Sequence, residues 1–254
     1  MESLQVPVDD LARLCHLASL GKLLGGLIHN LNSPLHSMGM QMDVIQHFIL
    51  QKDDPVTVLS EKISARLAQM NEEFENLSNQ IRIAGMRADL QECHPEKFNL
   101  NNFLHQELQF LKTNLHFKHN VETIIEFSAS LRAIVPSSPY FSLALSLLLE
   151  RVAEELENAG SRKLFLATSE NHEGHPVISI RMDGMIPPKP FRDILEMNPL
   201  PPGDLPHISE EINLLISVLL LRGGGAHIET NGNDQGTFIS IRFPQKTSSE
   251  RSHE

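Results

Sequence analysis

The segment ISARLAQMNEEFENLSNQIRIA, residues 63–84, decides the fold of the first third of the chain. Its apolar residues follow one another in alternating steps of four and three: Ile63, Leu67, Met70, Phe74, Leu77, Ile81 and Ala84. This alternation, kept over about three heptads, predicts a helix with one apolar seam that packs against other helices.

A second long helix precedes this segment. Residues 9–51 carry leucines mostly three or four positions apart, and KDDP at 52–55 is typical of a turn. Two long helices joined by a short turn form an antiparallel hairpin, and the apolar seam of each helix must be covered. Because the pairing of two hairpins into a four-helix bundle covers both seams, we expect a homodimer.

The pattern changes after HPEKFNL, residues 94–100. Helical and strand patterns then alternate, with helices at 99–115, 141–156 and 209–221 and strands at 121–127, 163–169, 177–182, 226–230 and 237–243. This mixture predicts an α/β sandwich with one layer of sheet and one of helices. The proline-rich residues 184–207 are typical of an irregular loop.

These patterns together predict an α+β chain. The helical hairpin, in a dimeric four-helix bundle, takes residues 1–94, the sandwich domain takes 95–245, and 246–254 form a disordered tail.

Composition narrows the function. The 254 residues carry a net charge of −11, which argues against binding to nucleic acid, since phosphate binding needs a basic surface. The longest apolar run, 143–149, is too short to span a bilayer, and the first residues lack the basic and apolar parts of a secretory signal. Two distant cysteines match no metal-binding spacing. We therefore expect a cytoplasmic protein that binds neither a membrane nor nucleic acid.

The segment GLIHNLNSPL, residues 26–35, weakens the first helix. Each glycine costs a helix about 1 kcal/mol relative to alanine, and Pro34 removes a backbone hydrogen bond. On a helical wheel one side holds Lys22, Gly25, Gly26, His29, Asn32, Ser33 and His36, and the other holds Leu24, Leu27, Ile28, Leu31 and Leu35. His29 is predicted to face outward, where the glycines leave room for a macromolecule. The alternative is an ordinary surface histidine on a bundle helix.

At this point three segments resemble sensor histidine kinases. ASLGKLLGGLIHNLNSPL, residues 18–35, resembles the phosphoacceptor box, with His29, Pro34 and Leu35 at the family's spacing. PEKFNLNNFLHQELQFLKTNL, 95–115, is similar to the entry of the family's ATP-binding domain, and GGGAHIETNGNDQGTFISIRFP, 223–244, to its last hairpin. The resemblance covers roughly residues 10–245.

The resemblance implies that His29 carries a phosphoryl group. An exposed imidazole is largely neutral at pH 7 and can attack phosphorus. Asn30, Asn32 and Ser33 belong to the same catalytic box, and the outward side with Lys22, Gly25, Gly26 and His36 is the expected docking surface for a response regulator. Asn30 stands where the family has an acidic residue, so it cannot accept a proton, although its amide can orient the imidazole.

The nucleotide site departs further from the family's pattern. Leu147 and Arg151 stand where the family has two asparagines, one of which holds Mg²⁺. Asp183 and Gly184 begin a shortened version of its adenine loop. Glu210 and Glu211 replace glycines, and their carboxylates would repel a triphosphate. The glycines at 223–225 instead suggest a helix C-cap. We expect no ATP binding and no cofactor, with Mg²⁺ supplied by a partner receiver domain.

The sequence thus favours a histidine phosphotransferase, rather than an ATP-dependent kinase, that passes a phosphoryl group between response-regulator aspartates. One alternative is a non-catalytic pseudokinase that binds and regulates a receiver domain or a histidine kinase. Another is a weakly active kinase, or a phosphatase that uses Ser33 to orient a water molecule.

Overall fold

The computed structural model describes residues 8–50, 55–88, 98–136, 138–160, 163–197, 208–233 and 236–244. Most of the predicted turn at 52–55 and the predicted tail at 246–254 lie outside them. The chain divides into two compact units, Ala18–Ala88 and a second unit made of Met1–Leu17 with Asp89–Glu254. The predicted domain boundary at residue 94 differs from this division, because the start of the first helix belongs to the second unit.

The hairpin is built from helix α1, Val8–Leu50, and helix α2, Val56–Ala88. Arg66 Nη1 donates a hydrogen bond to Gln41 Oε1 at 3.2 Å, and the ammonium of Lys62 lies 5.4 Å from the ring centroid of Phe48. The residue number rises on one helix as it falls on the other, so the helices run antiparallel, as predicted. Pro34 lies inside α1 and is buried.

Each helix of the hairpin leaves half of its apolar seam uncovered. The side chains at 49–60% exposure include Leu24, Ile28 and Leu35 on α1 and Leu67, Phe74 and Ile81 on α2. The alternate positions of the α2 seam are half-buried: Ile63, Met70, Leu77 and Ala84. The single hairpin therefore covers one side of the predicted seam and exposes the other.

The second unit is a sheet with a layer of helices, which confirms the predicted α+β class. Its elements are α3 Leu100–Leu111, α4 Leu115–Asn120, β1 Glu122–Phe127, α5 Phe141–Ala159, β2 Lys163–Glu170, β3 Pro176–Asp183, α6 Lys189–Glu196, α7 Ile208–Gly223, β4 His227–Asn233 and β5 Gly236–Arg242. The strand order is β1-β2-β3-β5-β4; β1 is parallel to β2 and the other pairs are antiparallel.

The strands alternate between a buried and an open face, which is the pattern of a sheet covered on one side. The buried face carries Leu164, Leu166, Ile178, Ile180, Ile239 and Ile241. These residues belong to one core with apolar residues of α3, α5, α6 and α7. Ala12 and Cys15 of α1 join that core, and Arg13 Nε donates a hydrogen bond to Tyr140 Oη at 3.2 Å.

The prediction of an irregular loop over 184–207 was wrong for helix α6. Pro190 lies in its first turn, where the missing N–H has no helical partner to lose. Phe191, Ile194 and Leu195 then place apolar side chains three and four positions apart, and all three are buried. This short apolar stripe outweighs the proline content. Residues 198–207 lie outside the described residues.

The helix predicted over 99–115 ends at Leu111 as α3, and a separate short helix, α4, begins only at Leu115 and was not predicted. Asn99 caps the start of α3, since its Oδ1 accepts a hydrogen bond from the N–H of Asn102 at 3.0 Å. Asn114 Oδ1 accepts from the N–H of Phe117 at 3.4 Å at the start of α4. Asparagine competes with a continuing helix by offering this kind of local bond, which explains the break.

The glycines after α7 end that helix as predicted. Gly225 has a φ of 82°, a conformation that favours glycine. Its N–H donates to the carbonyl of Arg222 at 2.8 Å, and the N–H of Ala226 donates to that of Leu221 at 2.9 Å. This pair of bonds is a Schellman motif, so Gly225 serves as a C-cap.

Candidate functional site

The candidate phosphoacceptor lies within the unbroken helix α1. The backbone of His29 is helical, as is the backbone of the turns on both sides. The structure describes only the backbone at Lys22, Gly25, Gly26 and His29, so the predicted outward direction of these positions stays a prediction.

The polar neighbours of His29 whose side chains are described are partly or fully open to solvent. Asn32, Ser33 and His36 are exposed, and Asn30 is half-buried. The predicted polar side of the helix is therefore open to solvent one turn beyond His29. These side chains can donate and accept hydrogen bonds at a docking surface.

The described side chains of the predicted nucleotide region are buried or paired within the chain. Leu147 on α5 is 1% exposed and offers no atom that could bind a cation. One turn later, Arg151 makes a two-pronged ion pair with Glu211 of α7: Nε lies 2.9 Å from Oε2 and Nη2 lies 2.6 Å from Oε1. Arg151 also pairs with Glu155 on its own helix. The guanidinium thus binds carboxylates of the chain itself.

The electrostatics of this cluster follow from its burial. Arg151 is 8% exposed. Burial acts to lower the pKa of Arg151, but the hydrogen bond to Glu211 and the charge of Glu155 outweigh it, so the pKa is raised overall. Burial also raises the pKa of Glu155, against the lowering effect of Arg151. The guanidinium therefore stays charged and links α5 to α7.

The predicted adenine loop begins with another internal ion pair. Asp183 Oδ1 lies 2.9 Å from Nε of Arg181, two residues earlier on β3. Gly184 follows with a φ of 69° and turns the chain out of the strand. Asp183 and Arg151 thus each have a partner of opposite charge. In the part of the chain that the structure describes, no three acidic, histidine or cysteine side chains form a group that could hold a metal ion.

Sequence reasoning missed two groups around these residues. Glu155 lies four positions after Arg151, a spacing that favours an ion pair on a helix and could have identified it. Arg181 lies on the open face of the sheet, 3.4 Å from the ring centroid of Phe165 and 5.8 Å from that of Phe238. No local pattern predicts this arrangement, since it depends on strand register.

Comparisons with known proteins assign no family to this chain. No protein-family model and no curated protein matches the sequence. Solved structures do match. A bacterial phosphotransferase is 12% identical, with 88% of this chain and 96% of that chain covered and a TM-score of 0.46.

Two histidine kinases are similar to this chain in the same way. Acinetobacter baumannii AdeS is 11% identical, with 86% of this chain and 98% of that chain covered at a TM-score of 0.42. The histidine kinase domain of the E. coli osmosensor EnvZ is 15% identical, with 62% and 93% covered at a TM-score of 0.44. Within the described ranges, no helix has the length and apolar character needed to cross a bilayer.

Proposed function

We propose that this protein is a histidine phosphotransferase of a two-component phosphorelay. It carries a phosphoryl group on His29 between aspartates of response regulators and does not bind ATP. The observation that carries the proposal is an acceptor box with its His, Pro and Leu spacing intact, on a helix whose next turn exposes Asn32, Ser33 and His36.

The reaction needs little from the protein besides position. A neutral imidazole nitrogen of His29 attacks the phosphorus of an aspartyl phosphate, the P–N bond forms, and the P–O bond to the aspartate breaks. The proton on the other ring nitrogen passes to solvent. An acyl phosphate is already an activated donor, so Asn30 is tolerable in place of an acidic residue. The receiver supplies the Mg²⁺ that neutralises the transferred group.

A phosphoryl carrier of this kind needs no nucleotide site, and the arrangement around Arg151 supports the loss of that site. Leu147 has no ligand atom, and Glu211 brings a carboxylate to the place where glycines would cradle phosphates. A triphosphate there would have to displace an ion pair that is largely removed from water.

The apolar seams support a homodimer. The exposed seam positions include Leu24, Ile28 and Leu35 on α1 and Phe74 on α2. Pairing of two hairpins would cover these side chains and leave the polar side of α1 open. The dimer acts in the cytoplasm, where receiver domains are its partners, and docks them along the outward side of α1 that carries Lys22, Gly25, Gly26 and His36.

A second candidate is a non-catalytic protein that binds a receiver domain or a histidine kinase. The same Arg151–Glu211 pair favours it, because loss of nucleotide binding is common to both candidates. The two differ in whether His29 is chemically needed. A weakly active kinase, or a phosphatase that uses Ser33, needs a nucleotide or a bound water instead.

Labelling from two donors tests the proposal. Purified protein is incubated with radiolabelled ATP and Mg²⁺, and separately with a receiver domain labelled by its own kinase and freed of ATP. Acid-labile label from the receiver, lost in His29→Ala but kept in His36→Ala, is the expected result. Label from ATP contradicts the loss of nucleotide binding. Receiver binding without label in wild type favours the non-catalytic candidate.

A further inference from the structure

The open face of the sheet has a row of side chains that water-facing strands seldom carry. Phe165 of β2, Arg181 of β3 and Phe238 of β5 are register partners across the three central strands. The guanidinium lies against the Phe165 ring and is held by Asp183. Solvent-facing positions of antiparallel sheets are normally polar, whereas aromatic residues and arginine are enriched at the centres of protein interfaces.

The next row of the same face, which we call the low row, carries short side chains. Ala167, Ser179 and Ser240 are register partners on the same three strands, and their side chains are small. The two edge strands end this row with carboxylates, Glu126 on β1 and Glu229 on β4, both exposed. We call the low row, the adjacent aromatic row and the two carboxylates the sheet trough.

The sheet trough is a depression of about 630 Å³ lined by both rows. Its aromatic row forms one wall, and the carboxylates mark its ends. Five strands spaced about 4.8 Å apart place those ends roughly 19 Å from each other. His227 Nδ1 lies 3.3 Å from a carboxylate oxygen of Glu229 at one of these ends.

We propose that the sheet trough docks an amphipathic helix of a partner protein, with one basic side chain at each end and apolar side chains between them. Apolar groups fill the low row beside Phe165 and Phe238, and the basic groups meet Glu126 and Glu229. On one face of a helix, residues 11 or 14 positions apart are separated by about 16 or 21 Å. These two spacings bracket the distance between the carboxylates.

This inference does not depend on phosphotransfer at His29, because the trough lies on the second unit and His29 lies in the first. It gives that unit a function that needs no nucleotide. A partner could be recruited there whether the hairpin transfers phosphoryl groups or only binds a receiver.

A designed helix tests the inference. The probe is a fluorescent, alanine-based synthetic helix with two arginines eleven positions apart and two leucines between them, titrated with the full chain in anisotropy. The control helix has the same composition with its arginines four positions apart. Since the chain has a net charge of −11, this control separates fitted binding from general attraction of a basic peptide.

Variants of exposed residues locate the binding. Ser179→Trp fills the low row and should weaken binding at least about tenfold, as expected for a blocked interface centre. Glu126→Lys and Glu229→Lys should each weaken it about fivefold at low salt. Glu173→Lys, in the β2–β3 turn, makes the same charge change outside the trough and should have little effect. Circular dichroism checks that each variant is folded.

Three results overturn the inference. The first is no saturable binding of the designed helix, and the second is equal binding of the control helix. The third is binding that Ser179→Trp leaves unchanged in a folded protein. Self-association of the wild type that Ser179→Trp abolishes, without binding of the helix, would assign the trough to a second copy of the chain instead.

Discussion

The two units of the chain treat their apolar side chains in opposite ways. In Ala18–Ala88, Leu24 and Phe74 remain more than half exposed, whereas in the second unit Leu147 is 1% exposed inside a closed core. Two helices alone have no second layer to cover them, while the sheet has its own layer of helices. The sheet unit is complete as a single chain, and the hairpin needs another surface.

The two units also differ in how they use their polar side chains. The hairpin leaves Asn32, Ser33 and His36 open to solvent, while the sheet unit pairs Arg151 with Glu211 inside the chain. The hairpin therefore leaves polar groups open to a partner, whereas the sheet unit pairs its buried charges within the chain. This contrast predicts that substitutions on the exposed seam of the hairpin change assembly, and that substitutions at the buried ion pair of the sheet unit change stability.

The largest expected effect tests the uncovered seam. Phe74→Glu should weaken dimerisation on the order of a thousandfold, because a buried phenylalanine contributes roughly 2 kcal/mol and each dimer contains two of them. Sedimentation velocity over the micromolar range measures the change. Glu75→Lys, the next residue and also exposed, should leave the dimer intact. A wild type that stays monomeric over the whole concentration range would contradict the expectation that a second hairpin covers the seam.

A smaller effect is expected at the ion pair of the sheet unit. Glu211→Ala leaves the buried Arg151 without its two-pronged partner and should lower the free energy of unfolding by about 3 kcal/mol. Urea unfolding followed by tyrosine fluorescence is suited to this test, since Tyr140 is the only tyrosine, there is no tryptophan, and its ring is buried in this unit. Glu173→Ala, on an exposed turn, should change it little. An equal loss of unfolding free energy in both variants would contradict a stabilising buried ion pair between Arg151 and Glu211.

Next in size is the cap of α7. Gly225→Ala forces a side chain into a left-handed conformation and should cost about 1–2 kcal/mol. Gly223→Ala is the matched control, since Gly223 lies in the helix with nothing within 4 Å of an added Cβ. It should be neutral or slightly stabilising. The same urea experiment measures the free energy of unfolding of both variants. A larger loss in Gly223→Ala than in Gly225→Ala would contradict the Schellman motif.

The smallest expected effect is a change in pH dependence. Burial raises the pKa of Glu155 in the folded protein above the usual 4.5, so the folded state holds this proton more tightly than the unfolded state. Its contribution to stability is fully present below about pH 4.5 and is lost as the pH rises through the folded value. Glu155→Gln should remove this decline. Urea unfolding from pH 4 to 7 compares the slopes, and identical slopes would show that burial does not govern Glu155.

Local patterns in the sequence predicted most of the elements. The seven-residue spacing from Ile63 to Ala84 identified α2, and the strand predicted over 163–169 corresponds to β2. Helix α6 was missed because three prolines precede an apolar stripe of only three residues. The pairing of Arg151 with Glu211 joins residues 60 positions apart, and no local pattern contains that information.

The functional surfaces also differ in how far the sequence predicts them. His29, Pro34 and Leu35 lie within two turns of one helix, so their spacing could be recognised from the sequence alone. The sheet trough combines residues of five strands, and a shift of register by one residue would move Arg181 to the buried face. Only the folded sheet brings these side chains together.

The most direct test of the account is to locate the phosphoryl group. The full chain is incubated with a phosphorylated receiver domain in the absence of ATP, digested at neutral to alkaline pH, and analysed by tandem mass spectrometry of the peptides that contain His29 and His36. The account predicts a phosphoryl group on His29 that acid removes, and none on His36. Transfer to another residue, or none from a receiver that binds the protein, would contradict it.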